Sequence, residues 1–511
     1  MASHLPDYVA SARPVPLANR TAWYLGTAPT YAGIVLWFGF WQDVPVGSGL
    51  KGAQGYSEFA GGTLAHGLGV AIVSLIAAAL VCHFVFYLIP GKLGVKTGLP
   101  LYIVGTSTYG VLGGFLLPGF LMGLVQFGGL AVNAYFSAWL LCAPLGKGPG
   151  TAAHVVVVSI WAVLAAFMGL KGIRYVGKVA SFLQFIPLVI LLILFCSTVG
   201  GVARFDYKAC VEQGRKPVVV EKPADEIARE AKTKGVAETE IAKQVVLRPK
   251  PPLPLWGVVA LIWTFVVGYW ATACAAGADF GMNNRDQRDV KMGGLAGIAG
   301  ATIFSGVLSL LIAAGAYGAA KTGGTSLLRT TALMGNLHSV LGEHTAALFS
   351  YLLAVASFPP ACFSSFIAAN CFRTTLPKVN PFISCGIGTA VAILLAVTGI
   401  AGDFVGVFKV IGACFAPICG AMAADYLLAG RKWAGPRAGF NLAGWISWVA
   451  GFFVGAVDSI PVLPGIPNLA GKIPCPPMAA FLVGFLLYLL LALLGLQSRT
   501  LEMPALAETQ K

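Results

Sequence analysis

Apolar stretches, most of them about twenty residues long, alternate with short polar segments along the whole chain. They fall at 23–41, 60–89, 114–142, 152–171, 175–202, 254–278, 293–320, 344–372, 382–400, 403–429, 439–458 and 477–497. About 20 apolar residues in a helix reach across the hydrocarbon core of a bilayer. Inside that core every backbone N–H and C=O must be satisfied within the segment, which leaves helices or a closed barrel. The alternation of apolar and polar positions that barrel strands need is missing here. The pattern therefore predicts an all-α integral membrane protein with about 12 transmembrane helices.

Two of these stretches are unlike the rest. The first contains Gly26-Thr-Ala-Pro29-Thr-Tyr31-Ala-Gly33, and the sixth reads Gly268-Tyr-Trp270-Ala-Thr272-Ala-Cys274-Ala-Ala-Gly277-Ala-Asp279. Proline removes a backbone donor and glycine loosens a helix, so both places are expected to open. Freed backbone groups at membrane depth are tolerated where they line a cavity, and interrupted helices in corresponding halves point to a transporter's central site. The alternative is a pair of packing kinks. The two interruptions lie five spans apart, which predicts a five-plus-five inverted repeat followed by two more helices. The expected organisation is a tail at 1–22, helices 1–5 at 23–202, a polar insert at 203–253, helices 6–10 at 254–429, helices 11 and 12 at 439–497, and a tail at 498–511.

Composition agrees with a membrane origin: 57% of residues are apolar and only 11% charged, against about 25% charged in soluble domains. The net charge of +14 is spread between the apolar segments rather than gathered in a stripe, so it reads as topogenic charge and not as a nucleic-acid surface. An even number of spans places both termini on one side. Seventeen Lys and Arg lie on that side against five in the short loops opposite, which predicts cytoplasmic termini in a plasma (inner) membrane. The first 22 residues carry no short apolar core with a cleavage site, so they are expected to be a tail rather than a signal peptide. Within the insert, Asp225 to Val246 alternates acids and bases at helical spacing and predicts a short solvated helix. The eleven cysteines sit mostly inside apolar segments without a CxxC pair and read as packing residues. Cys210 and Cys475, in loops on one side, leave a disulfide open. No metal-ligand cluster and no prosthetic group is expected.

Several blocks resemble a known family. They are LGTAPTYAG in the first span, KTGLPLYIVGTSTYG after the second, PGFLMGLVQFGGLAVNAYF in the third, VGYWATACAAGADFGMNNRD in the sixth, CFAPICGAMAADYLLAGRKW at the end of the tenth, and GFNLAGWI after it. In order and spacing they resemble the nucleobase–cation symporter-1 family, its cytosine-permease-like branch, over nearly the whole chain outside the insert and tails. The resemblance implies a LeuT-like fold working by alternating access. It implies that Gln126 contacts the substrate through an amide that both donates and accepts, and that Trp270 offers a face for a flat heterocycle. Tyr269, Thr272, Thr30 and Tyr31 would surround them. For a coupling cation, Na+ or H+, it implies backbone carbonyls near Gly26 and Pro29 with side-chain oxygens from Ser364 and Ser365, since hard cations take oxygen ligands. From the residues alone, Gln126 could equally make a helix–helix hydrogen bond and Trp270 could be a core aromatic.

The chain also departs from that family. Gly129 stands where a third-helix aromatic is common, with Asn133 one turn on as a substitute polar contact. Ser357 and Phe358, followed by Pro359-Pro360, stand where an amide and a carboxylate read the pyrimidine edge. Lys409, in VGVFKVIG, either faces the cavity, where it would replace a sodium ion or titrate, or snorkels to the outer end of its helix. Asp279 and Asp425 are expected to pair with Arg285 and Arg431, and His66 and His83 to be packed. The expected function is secondary import of a nucleobase or related planar heterocycle by cation symport. A transport-dead sensor on the same scaffold is the alternative. A membrane-embedded enzyme would need an HExxH, GxSxG or His-rich cluster, and the chain has none.

Overall fold

A computed structural model describes residues 5–38, 59–171, 182–183, 185–215, 218–221, 244–247, 250–319, 341–376, 378–459 and 471–503. The apolar segments are helices, in order α1 (Thr27–Phe38), α2 (Leu68–Thr97), α3 (Thr106–Leu145), α4 (Ala152–Lys171), α5 (Phe185–Arg204), α6 (Leu255–Ala275), α7 (Gln287–Ala319), α8 (Glu343–Phe372), α9 (Pro381–Val397), α10 (Phe404–Leu428), α11 (Leu442–Gly455) and α12 (Pro476–Leu493). Nine of them, among the described residues, are long and apolar enough to cross a membrane. The fold is LeuT-like, with a five-plus-five inverted repeat and two further helices.

Three helices carry π-helical stretches: Cys82–Tyr87 in α2, Phe115–Leu121 in α3 and Leu295–Gly300 in α7. Such wide turns shift which side chains face a neighbour and recur at functional sites. In α7 the wide turn coincides with a close approach. A Cβ on Gly297 would meet Ala28 Cα at 2.8 Å, so only glycine lets α1 lie against α7 here. Helix α3 breaks at Gly110, whose φ of 80° suits glycine. The run 437–441 fills that break: Val111 donates to the Arg437 carbonyl, Leu112 to Gly439, and Asn441 to Tyr109.

Apolar side chains gather in two cores. One is built mainly from α1, α2, α6, α7 and α10–α12 with the start of α3, the other from the rest of α3 with α4, α5, α8 and α9. Tyr269, Phe363, Val407 and Phe408 pack against both. The cores also meet where α5 packs closely on α7: a Cβ on Gly315 would lie 2.3 Å from the Thr198 carbonyl oxygen.

Several expectations need correction. Asp425 pairs with Arg437 at 3.2 Å, not with Arg431, and also accepts from Tyr488 at 2.8 Å and Ser107 at 2.6 Å. Arg285 turns to Asp289, at 2.7 Å, so Asp279 is left without it. Residues 222–243 lie outside the described residues, and 244–246 of the expected solvated helix are strand. Val218–Glu221 pairs antiparallel with Gln244–Leu247, where Val-rich runs favour extended backbone. A helix at Tyr207–Gly214 precedes them, capped by the Asp206 carboxylate accepting from Lys208 N. Both Cys210 and Cys475 are buried free thiols, so they do not pair. Cys210 lies by Tyr317 of α7, whereas Cys475 lies by Thr264 of α6.

Candidate functional site

The first helix is not unwound where the glycines and Pro29 suggested. Pro29 falls in the first turn of α1, where its missing N–H has no partner to lose, and the helix then runs regularly to Phe38. The Gly26 carbonyl accepts from Thr30 twice, from its N at 3.2 Å and its Oγ1 at 2.8 Å. That oxygen and the Thr30 hydroxyl are therefore engaged with each other. The sixth helix is interrupted at a single residue, Ala276, after which a short turn runs Gly277–Gly281. The opening is far narrower than the sequence from Trp270 to Asp279 predicted, because small apolar residues such as Ala271, Ala273 and Ala275 pack as ordinary helix.

The two segments do meet. Tyr31 of α1 donates its hydroxyl to the Ala273 carbonyl of α6 at 2.9 Å. Its ring stands edge-on to Trp270 at 5.7 Å and tilts over Phe280 at 4.5 Å, both within favoured aromatic range. Trp270 is fully buried, and its indole N–H donates to Thr302 Oγ1 of α7 at 2.8 Å. Tyr269 packs edge-on to it at 5.3 Å and reaches Phe408 of α10 at 5.4 Å. Phe280 stacks on Phe363 of α8 at 5.7 Å. An aromatic nest thus joins α1, α6, α7, α8 and α10 at the seam between the cores. Tyr31, Tyr269 and Thr302 cover the Trp270 indole in this conformation.

Three further predicted residues carry polar groups with few partners. Gln126 of α3 is partly exposed; its amide donates to Met122 Sδ at 3.5 Å and, among the described residues, its carbonyl oxygen has no partner. Ser364 of α8 occupies the space that Gly129 leaves, its Oγ 3.3 Å from where a Cβ would sit. The Thr272 hydroxyl is buried without a hydrogen-bond partner among the described residues. An orphaned hydroxyl of this kind is costly unless something occupies its direction.

Other predicted contacts are spent elsewhere. Asn133 donates to the Ser357 carbonyl at 2.9 Å and accepts from Trp161 Nε1 at 3.1 Å and Ser137 Oγ at 3.3 Å. The Ser137 and Ser357 hydroxyls lie 2.5 Å apart. This buried cluster clasps a break in α8, which is two helices, Glu343–Ala356 and Phe358–Thr375, flanking Ser357. Asn133 and Ser357 are thus bonded to each other, to Ser137 and to Trp161. Ser137 and Trp161 were missed in the sequence, as was the break, although Pro359-Pro360 signals a new helix start. Ser365 donates to the Ala361 carbonyl at 3.2 Å, and its side chain lies against Gly169 of α4. The candidate cation set of Gly26, Pro29, Ser364 and Ser365 is therefore not brought together: Ser364 faces α3, Ser365 faces α4, and the Gly26 carbonyl is occupied. Lys409 forms an ion pair with Asp458, 3.5 Å away at the end of α11, and does not enter the nest.

No family model matches this chain, and no curated protein matches it. Among solved structures the fold is that of membrane transporters. Mhp1 in an inward-facing conformation superposes with a TM-score of 0.58 at 14% identity, over 95% of this chain and 92% of that one. Mhp1 closed with bromovinylhydantoin bound, described as a nucleobase-cation-symport-1 family transporter, gives 0.58 at 14% identity over 99% of this chain and 96% of that one. A Na+-coupled sialic acid symporter, substrate-bound and outward-open, gives 0.50 at 11% identity over 97% and 93%. The family resembled by the sequence blocks thus has a solved member with this fold.

Proposed function

We propose that the chain is a secondary transporter that imports a nucleobase or related planar heterocycle by cation symport, alternating the access of one site at the seam between its two cores. The observation that carries this reading is the Tyr31–Trp270–Phe280 nest, which brings α1 and α6 together where Phe363 of α8 and, through Tyr269, Phe408 of α10 also meet. Aromatic faces with a few directional polar groups suit a flat heterocycle: rings stack, and amides read the edge. That Mhp1 was solved with bromovinylhydantoin supports the same substrate class. In this reading Tyr269 swings aside to admit the ring onto Trp270, and closure of one body over it commits the substrate. The seventeen-to-five charge asymmetry of the loops supports cytoplasmic termini in the plasma membrane.

The test is uptake by proteoliposomes holding the full chain, across nucleobases, hydantoins, allantoin and thiamine precursors, with sodium and pH varied separately. Saturable uptake of one class, raised by a sodium or proton gradient, is the expected result. Ligand-induced thermal stabilisation without uptake would favour a sensor on this scaffold. Absence of both would overturn the reading.

A further inference from the structure

We propose that Asp279 is the proton-binding group of the transport cycle, and that its protonation releases a latch between the end of α6 and the start of α3. The proposal rests on the symport reading and deepens it by naming the coupling ion.

Asp279 sits just past the Ala276 break. Helix α6, 21 residues at about 1.5 Å each, already spans about 30 Å, so the carboxylate lies beyond that span, on the side of the N-terminal segment: Thr21 there donates to the Asn283 carbonyl. One oxygen, Oδ1, accepts from the backbone N of Leu101 at 3.1 Å. Leu101 opens the Leu101–Val104 turn, which leads directly into α3 and packs back on its π-helical stretch through Gly105 and Pro118. Helix α3 then carries on into the second core from Phe127. The hydrogen bond therefore ties the end of α6 to the turn that opens α3; both ends lie in the first core, which α3 leaves further along.

Among the described side chains Asp279 makes no ion pair. Arg285 is held by Asp289 at 2.7 and 3.1 Å. Lys96 donates to the Arg431 carbonyl at 2.8 Å and to Tyr426 Oη at 3.2 Å. Lys92, also on α2, forms no ion pair with it. Arg20 of the N-terminal segment donates to the Val15 and Val95 carbonyls at 3.1 and 2.9 Å, and Lys291 lies near the start of α7. Tyr31 of α1, Tyr87 of α2, Tyr102 of the turn and Cys371 of α8 are neutral at physiological pH. Burial without a counter-charge raises a carboxyl's proton affinity. Here burial pushes the Asp279 carboxyl up to about 6, against the Leu101 hydrogen bond, which pulls it down.

The step is a simple proton exchange. The carboxylate takes one proton from water on the accessible side, an O–H bond forms, and the group goes from charged to neutral. Its charge-assisted bond to Leu101 weakens, and the α6–α3 junction is free to part. Loss of the proton to water restores the charge and the latch.

The experiment uses the full chain in two measurements. Hydrogen exchange of the backbone across residues 99–105, followed from pH 5 to pH 8 and corrected for intrinsic rates, reads the latch without any substrate. A carboxyl titrating near 6 goes from about nine-tenths protonated at pH 5 to about one-tenth at pH 7. Protection of this segment is expected to rise about tenfold across that range in the natural chain. Asp279→Asn should abolish the pH dependence and Asp279→Glu should restore it. Protection in the natural chain that does not change with pH would overturn the latch, whatever the substrate turns out to be. In proteoliposomes, uptake driven by an inward proton gradient should be lost in Asp279→Asn, and an unchanged gradient response would overturn the coupling role. Lack of uptake of every heterocycle by the natural chain, with the exchange titration intact, would overturn the transport reading while leaving Asp279 as a pH latch.

Discussion

The hydroxyl of Tyr31 and the carbonyl oxygen of Ala273 lie 2.9 Å apart, and that hydrogen bond fastens the first helix of one repeat to the first helix of the other. Both residues are in segments chosen from sequence for their small and polar residues, yet the contact joins two nearly regular helices. Tyr31 is fully buried, so its hydroxyl has no water to fall back on. Tyr31→Phe should therefore lower stability by about 1 kcal/mol and weaken heterocycle binding by loosening the nest. Thermal unfolding with and without the best substrate checks both effects; an unchanged midpoint would mean that the bond is not held in solution.

Trp270 supplies the largest buried ring of the nest. Trp270→Ala is expected to abolish the response to any heterocycle, whereas Trp270→Phe, which keeps an aromatic face, should retain part of it. Thr302→Val leaves the indole N–H unpaired in a dry site and should cost about 1–3 kcal/mol of stability. Unchanged affinity in Trp270→Ala, measured by isothermal titration, would remove stacking from the mechanism.

Asn133 and Ser357 stand where the family resemblance suggested polar contacts to substrate, and the hydrogen bonds give them other work. Asn133→Ala strips partners from Trp161 Nε1 and the Ser357 carbonyl together. It should destabilise the chain by about 2–3 kcal/mol while leaving the ranking of substrates as it was. A reordered substrate profile at unchanged stability would return Asn133 to the binding site.

Much of this architecture was legible before any coordinates. Apolar length alone located the twelve helices, since a bilayer leaves backbone few ways to be satisfied. Tyr31, Trp270 and Tyr269 were named through the resemblance of the blocks LGTAPTYAG and VGYWATACAAGADFGMNNRD to a known family, on spans that Pro29 and the glycines had marked as interrupted. Other features depended on partners far away in sequence. The break at Gly110 is visible only with the run 437–441 that fills it, and nothing local distinguishes Gly110 from its neighbours. Arg285 lies six residues from Asp279 and four from Asp289; it stands just before the helix that starts at Gln287 and turns to Asp289 in that helix's first turn, whereas Asp279, past the Ala276 break, accepts from Leu101. Ser365 reads as a cation ligand until α4 is placed beside it.

Arg437 and Asp425 form a buried ion pair at 3.2 Å, with Ser107, Thr108 and Tyr488 also bonded to the carboxylate. Removing one partner of such a pair strands the other charge, a loss of about 3–5 kcal/mol. Arg437→Met is expected to reduce the yield of folded protein sharply, and Arg437→Lys to recover only part, because a lysine cannot also reach the carbonyls of Ser107 and Ser498 that the guanidinium binds. Size-exclusion profiles and thermal midpoints of the two variants provide the check. Equal behaviour of both variants would mean that charge alone, not the forked geometry, holds the junction of α3, α10 and α12.

Lys409 provides the contrast with Asp279. It was a candidate for coupling because an ammonium in an apolar helix is a functional site by default. Its Nζ instead lies 3.5 Å from Asp458, and both side chains remain partly open, at 22% and 23% exposure. A pair so placed is worth less than about 1 kcal/mol. Lys409→Met should therefore lower the thermal midpoint only slightly and leave the pH profile of uptake superimposable on that of the natural chain. Asp279→Asn should flatten the same profile. If the lysine variant flattens it and the aspartate variant does not, the two roles assigned here are reversed, and the proton would enter beside α11 rather than at the junction of α6 and α3.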